Sequence, residues 1–141
     1  MKKVLCFGTF DLLHDGHVWL LTKASNLGEL FVVIARDETV LKVKGISPTE
    51  DEQVRLKKVN SLGCVKKAIL GSKGDKYKVL SKIKPDIIVL GYDQNIFTEK
   101  LTDELNQKNI DCEIVREKAF YPEKFKSSII KKKLDRKETF K

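Results

Sequence analysis

The 141 residues predict an α/β domain, a parallel five-stranded sheet with helices on both faces. Two observations carry that expectation. Short apolar runs alternate with longer amphipathic segments along the chain, the pattern of strand–helix–strand crossovers. The runs Leu30–Ala35 and Asp86–Leu90 also lack apolar–polar alternation, as expected of strands buried on both sides. No internal repeat or low-complexity linker interrupts the pattern. Residues 1–141 therefore read as one domain, with 126–141 as a basic C-terminal helix and tail.

Taken in order, Lys3–Phe7 reads as the first strand, closed by Gly8. Gly16–Asn26 reads as a helix with Val18, Leu20, Leu21 and Ala24 on its apolar side and Gly28 beyond its end. Leu30–Ala35 is the second strand. Thr49–Leu62 is a helix with Glu50, Asp51 and Glu52 in its first turn, where acids favour the helix dipole, and Gly63 follows it. Val65–Leu70 is a strand, Asp75–Ile83 a short helix stopped before Pro85, and Asp86–Leu90 a strand ending at Gly91. Thr98–Lys108 is a helix and Cys112–Val115 the last strand. Ser127–Leu134 is a final helix with Ser127 or Ser128 as its N-cap.

Charge narrows the function. There are 28 Lys and Arg against 20 Asp and Glu, a net of +8, and the segment 116–141 holds +6 of it. A basic segment suits nucleic acid, an anionic surface or phosphorylated small molecules. Only Arg36, Arg55, Arg116 and Arg136 are arginines. Arg is the usual reader of base edges, so a sequence-specific nucleic-acid reader is disfavoured and a phosphate-handling enzyme is not. No apolar run approaches the ~20 residues of a membrane span. The N-terminal apolar stretch ends at Gly8 and Asp11, too early for a signal peptide, which points to the cytoplasm. Cys6, Cys64 and Cys112 are scattered through strand-like stretches and read as three buried free thiols.

The chemistry concentrates where the first strand ends. Residues 8–17 read Gly-Thr-Phe-Asp-Leu-Leu-His-Asp-Gly-His and contain both histidines of the protein, His14 and His17. In an open parallel sheet, ligands bind outside the carboxyl ends of the strands. A helix N-terminus there offers unpaired N–H groups and partial positive charge to a phosphate. Gly16 allows close backbone approach, and His14 and His17 can direct N–H donors at phosphoryl oxygens. The pair could also ligate zinc with Asp11 and Asp15, but no third His exists and no Cys adjoins. The G-x-G-x-x-G and G-x-x-x-x-G-K-[ST] loops are absent.

The segment Gly-Thr-Phe-Asp-x-x-His-x-Gly-His resembles the signature of the nucleotidyltransferase superfamily named for its His-x-Gly-His element, whose domain is Rossmann-like. The resemblance implies transfer of a nucleotidyl group from a nucleoside triphosphate to a phosphate-bearing acceptor, with Mg²⁺ accompanying the triphosphate. It implies that Thr9 and Phe10 line the triphosphate pocket, together with Asp15 and Gly16 at the helix mouth. His14 and His17 would stabilise charge on the α-phosphate, and Lys44, after the second strand, would reach the triphosphate. The pair Ser127-Ser128 resembles the family's second phosphate-binding motif. Asp93 is the expected contact to base or ribose, and Tyr121, with Tyr92 or Phe120, a stacking aromatic. Trp19 reads as packing, and Arg116 as a strand-end surface residue.

Within the superfamily, Ala35–Val40 and Lys84–Gln94 resemble the archaeal FAD synthetase branch, which transfers AMP from ATP to FMN. The glycerol-3-phosphate cytidylyltransferase branch carries an Arg-Thr-x-Gly-Ile-Ser-Thr-Thr stretch. Here the corresponding region reads Tyr121–Ser128 and lacks that Arg and Gly, though a CTP-dependent reaction stays the alternative. A basic module clamping RNA or lipid is the alternative of another class. One departure is Ile46, where many relatives have a basic residue after Lys-Gly. The implied partners are small molecules, with neither nucleic acid nor membrane, and relatives are often homodimers.

Overall fold

A computed structural model describes residues 1–73, 77–90 and 98–116. The elements are β1 (Lys3–Gly8), α1 (Asp15–Ser25), β2 (Glu29–Ile34), α2 (Asp37–Lys44), α3 (Glu52–Asn60), β3 (Lys67–Leu70), α4 (Lys78–Ile83), β4 (Ile87–Leu90), α5 (Thr98–Gln107) and β5 (Glu113–Arg116). All five strands run parallel in the order β3-β2-β1-β4-β5. Winding proceeds outward from β1 through β2 to β3, then jumps back to the other flank of β1. The reversal lies between β1 and β4, where Val4 pairs Ile87 and Cys6 pairs Val89. The crevice above that reversal is where such sheets bind ligands.

The two-residue period of the strands sorts the core into two layers. Val4, Cys6, Leu30, Val32, Ile34 and Val89 face Leu21 and Ala24 of α1 and Val59 of α3. Leu5, Val33, Ile88 and Leu90 face Val79 and Leu80 of α4 and Leu101 and Leu105 of α5. Each fully buried Leu or Val contributes roughly 1.5–3 kcal/mol. Helices therefore cover both faces, as the unalternating runs required. No helix among the described residues is long and apolar enough to cross a membrane.

Several boundaries differ from expectation. α1 begins at Asp15 because His14, in extended backbone, serves as its N-cap. α3 begins at Glu52 rather than Thr49, because the Asp51 carboxylate caps the Val54 N–H. The third strand is shorter than the apolar run: Val65 and Lys66 still belong to the turn after α3. Helix α2 was not anticipated. Its termini carry ordinary signals, acids in the first turn, lysines in the last and a left-handed Gly45 as C-cap. Only Val40 is buried, however, and Leu41 and Val43 are exposed, so no apolar stripe of helical period marks it.

The cysteine expectation is corrected in part. None of the three cysteines is in a disulfide, but only Cys6 is buried. Cys64 lies half-buried in the turn after α3, and Cys112 half-buried just before β5. Burial, reinforced by Asp86, pushes the Cys112 thiol up to about 11. The expected final helix over 127–134 lies outside the described residues, as does the start of the fourth helix at Asp75.

Candidate active site

The turn from Gly8 to His14 links β1 to α1 and forms one wall of a cavity of about 370 Å³. The walls include Gly8, Thr9, Phe10, Asp11, His14, His17 and Lys44, and also Ile46, Pro48 and Thr49. Phe10 and Leu12 both adopt left-handed backbone, at φ 53° and 52°. Neither is glycine, so each costs on the order of 1–3 kcal/mol and persists only where surroundings enforce it.

Four hydrogen bonds enforce it here. The Thr9 carbonyl accepts from the Arg55 guanidinium at 2.8 Å. The Asp11 carboxylate accepts the backbone N–H of Thr49 at 2.8 Å and of Glu50 at 2.9 Å. The Leu12 N–H donates to the Glu50 carboxylate at 3.1 Å. Burial works to raise the pKa of Asp11, but those amide bonds and the Arg55 charge outweigh it, so the net shift is downward. The Phe10 ring folds back over Gly8 so closely that a Cβ there would stand 2.6 Å from it.

The histidines are fixed by the helix they open. The Gly16 N–H donates to His14 Nδ1 at 3.0 Å, and the His14 N–H donates to His17 Nδ1 at 3.3 Å. The rings stack with centroids 3.9 Å apart, and Phe10 meets His17 edge-on at 5.3 Å. With Nδ1 of each ring accepting a backbone proton, the neutral tautomer carries its own proton on Nε2. Burial, then the neighbouring His14, hold His17 down at about 4; Asp11 opposes and Lys44 adds to the depression. Burial lowers His14 as well, against the pull of Asp15. Near neutral pH the site therefore presents two Nε2–H donors without a fixed positive charge on either ring.

Of the residues expected from sequence, Thr9, Phe10, His14, His17 and Lys44 line this cavity together. Lys44 reaches it from the last turn of α2. Asp15 and Gly16 stand in the first turn of α1, with Gly16 contributing its N–H to His14 rather than a cavity wall. Trp19 is half-buried on α1 with the Lys23 ammonium 6.0 Å from its ring. Arg116 is exposed at the end of β5. Asp93, Tyr92, Phe120, Tyr121, Ser127 and Ser128 lie outside the described residues. Among the described residues, no group of three or more His, Cys, Asp or Glu is arranged to hold a metal ion.

Sequence reasoning missed Arg55. It is fully buried, and besides Thr9 it binds the Glu50 carbonyl at 3.0 Å and the Asp37 carboxylate at 2.7 Å. Asp37 and Glu52 also cap each other's helices, each carboxylate accepting the other's backbone N–H. The available signal was position. Arg55 stands four residues before Val59 and seven before Leu62, on the apolar stripe of α3, where an unpaired cation would be costly.

A β1–turn–α1 junction carrying paired histidines, at the reversal of a parallel sheet, defines a nucleotide-handling α/β protein. The family model described as cytidylyltransferase-like matches residues 5–133, and the chain belongs to that family. The FAD synthase of Methanosarcina acetivorans is 52% identical over 118 residues, covering 82% of this chain and 76% of the relative. The FAD synthase of Methanosarcina barkeri is 48% identical over 117 residues, covering 82% and 83%. Among solved structures, a Thermoplasma volcanium protein described as a lipopolysaccharide core biosynthesis protein superposes with a TM-score of 0.79 at 42% identity. That superposition covers 85% of this chain and 98% of the other.

Proposed function

We propose that this protein is an FMN adenylyltransferase, making FAD and pyrophosphate from ATP and FMN. The observation that carries the chemistry is the pair of imidazoles whose Nδ1 atoms are both committed to backbone N–H groups, beside Lys44 in one cavity. The choice of substrates rests on archaeal FAD synthases at 44–52% identity. An oxygen of the FMN phosphate attacks the α-phosphorus of ATP. The bond from that phosphorus to the bridging oxygen breaks, and pyrophosphate leaves with the bond's electron pair. No proton need be removed from the attacking group. The Nε2–H groups of His14 and His17 donate to oxygens on which charge grows in the transition state, and Lys44 holds the departing phosphates. Mg²⁺ enters on the triphosphate as part of the substrate and neutralises its charge. Ser127, Ser128, Asp93 and Tyr121 are proposed to complete the nucleotide site. Three cysteines that form no disulfide accord with a reducing, cytoplasmic setting.

The test is pyrophosphate release with Mg²⁺, ATP or CTP being offered with FMN, with glycerol 3-phosphate or with no acceptor. Release with ATP plus FMN, and FAD as the product by chromatography, is the expected result. Release with CTP plus glycerol 3-phosphate alone would keep the family and reject these substrates.

A further inference from the structure

Arg55 has no place in the chemistry just described, yet it is the one buried charged side chain among the described residues. Its hydrogen bonds to Thr9, Glu50 and Asp37 converge around the strained turn and the helices flanking it. Its guanidinium holds the Thr9 carbonyl at 2.8 Å, one residue before Phe10 turns left-handed. Phe10 is 5% exposed, packs over Gly8, and presents its ring edge-on to His17. The path from Arg55 to His17 is therefore short and continuous: guanidinium, Thr9 carbonyl, Phe10 backbone, Phe10 ring, imidazole.

We propose that Arg55 is a positioning residue for His17, acting through Thr9 and Phe10 rather than by touching the nucleotide. Asp37 balances the buried guanidinium and keeps it in register. The Thr9 contact stops the turn from relaxing to ordinary backbone, which would lift the Phe10 ring from His17. Water would then reach the imidazole and its direction toward the cavity would be lost. This inference rests on the proposed function for its kinetic consequence only; the state of His17 can be read without any substrate.

The experiment compares wild type with Arg55→Lys and Phe10→Leu, at a temperature where circular dichroism shows each folded. Lysine keeps the charge against Asp37 but cannot hold three acceptors in one plane. Histidine NMR titration reads His17 directly, with His14, Asp11 and Lys44 as the charged or titratable groups facing it. In both variants the His17 midpoint should rise from about 4 toward the ordinary 6.5. In Arg55→Lys, kcat should fall about tenfold or more while KM for FMN stays within about twofold. A variant that melts earlier but leaves the His17 midpoint and kcat unchanged would reduce Arg55 to a structural role and overturn the proposal. If Arg55→Lys does not fold, Phe10→Leu decides: a His17 midpoint that stays put in that variant breaks the path. Failure of wild type to make FAD, with the His17 shifts intact, would instead count against the substrates and not against the path.

Discussion

The backbone assigns a tautomer to each histidine. Because Nδ1 of His14 and His17 both accept main-chain protons, each neutral ring offers Nε2–H to the cavity. Replacing His17 by Ala removes one preorganised donor, and turnover in the pyrophosphate assay should fall at least ~100-fold. Lys44 is exposed on the cavity rim, so Lys44→Ala should leave the fold intact. It should lower kcat/KM for ATP about tenfold or more and leave FMN binding unchanged, as steady-state kinetics and calorimetry would show. The depressed pKa of His17 has a consequence for stability. Between pH 6.5 and about 4 the unfolded chain binds a proton that the folded chain refuses. Stability is therefore full above about pH 6.5 and declines as pH falls through that window, by on the order of 3 kcal/mol. Urea unfolding at several pH values should show this slope, and His17→Asn should flatten it.

Among the elements, the β1–α1 turn and helix α2 matter most. A methyl group on Gly8 would meet the Phe10 ring at 2.6–2.8 Å, so Gly8→Ala must displace the ring that packs on His17. Activity should drop sharply while far-UV circular dichroism stays unchanged, because the strand hydrogen bonds do not involve the side chain. At the other end of α2, Gly45 sits at φ 80° with open space around it, and its N–H closes the helix on the Leu41 carbonyl. Gly45→Ala should therefore cost about 1 kcal/mol through backbone strain alone. The same change should raise KM for ATP, because Lys44 is held at the cavity by that terminus. A variant with lowered thermal stability but unaltered ATP kinetics would separate the cap from the lysine's placement.

Across the whole molecule, the site exists because the sheet reverses its winding between β1 and β4. Strand β1 is central, paired on both sides, so its carboxyl end is held by two neighbours and by two core layers. A site mounted there loses little on ligand-free fluctuation, and its ligand should stabilise the whole fold. ATP with Mg²⁺ at one hundred times its dissociation constant should add roughly 2.7 kcal/mol to unfolding free energy. Thermal melts with and without ATP would measure that increment, and Lys44→Ala should diminish it at the same ATP concentration.

Much of this protein is readable before any folding. The strands announced themselves through unalternating apolar runs, and the histidine pair through its place after Gly8, because both signals are local in sequence. The capping residues are local as well, although α3 starts later than its acids implied because Asp51, not Thr49, accepts the first-turn N–H. Helix α2 escaped notice because a helix that buries only Val40 leaves no periodic trace. Arg55 escaped because its partners, Thr9 and Asp37, stand 46 and 18 residues away in sequence. A cation on an apolar stripe is a conflict at the level of α3 alone. Tertiary structure resolves it by bringing a carboxylate and two carbonyls to the same point. Strand identity and the histidine motif follow from hydrophobic period and short-range spacing. The pinning of the left-handed turn, and with it the setting of His17, follows only from contacts that close when separate segments pack.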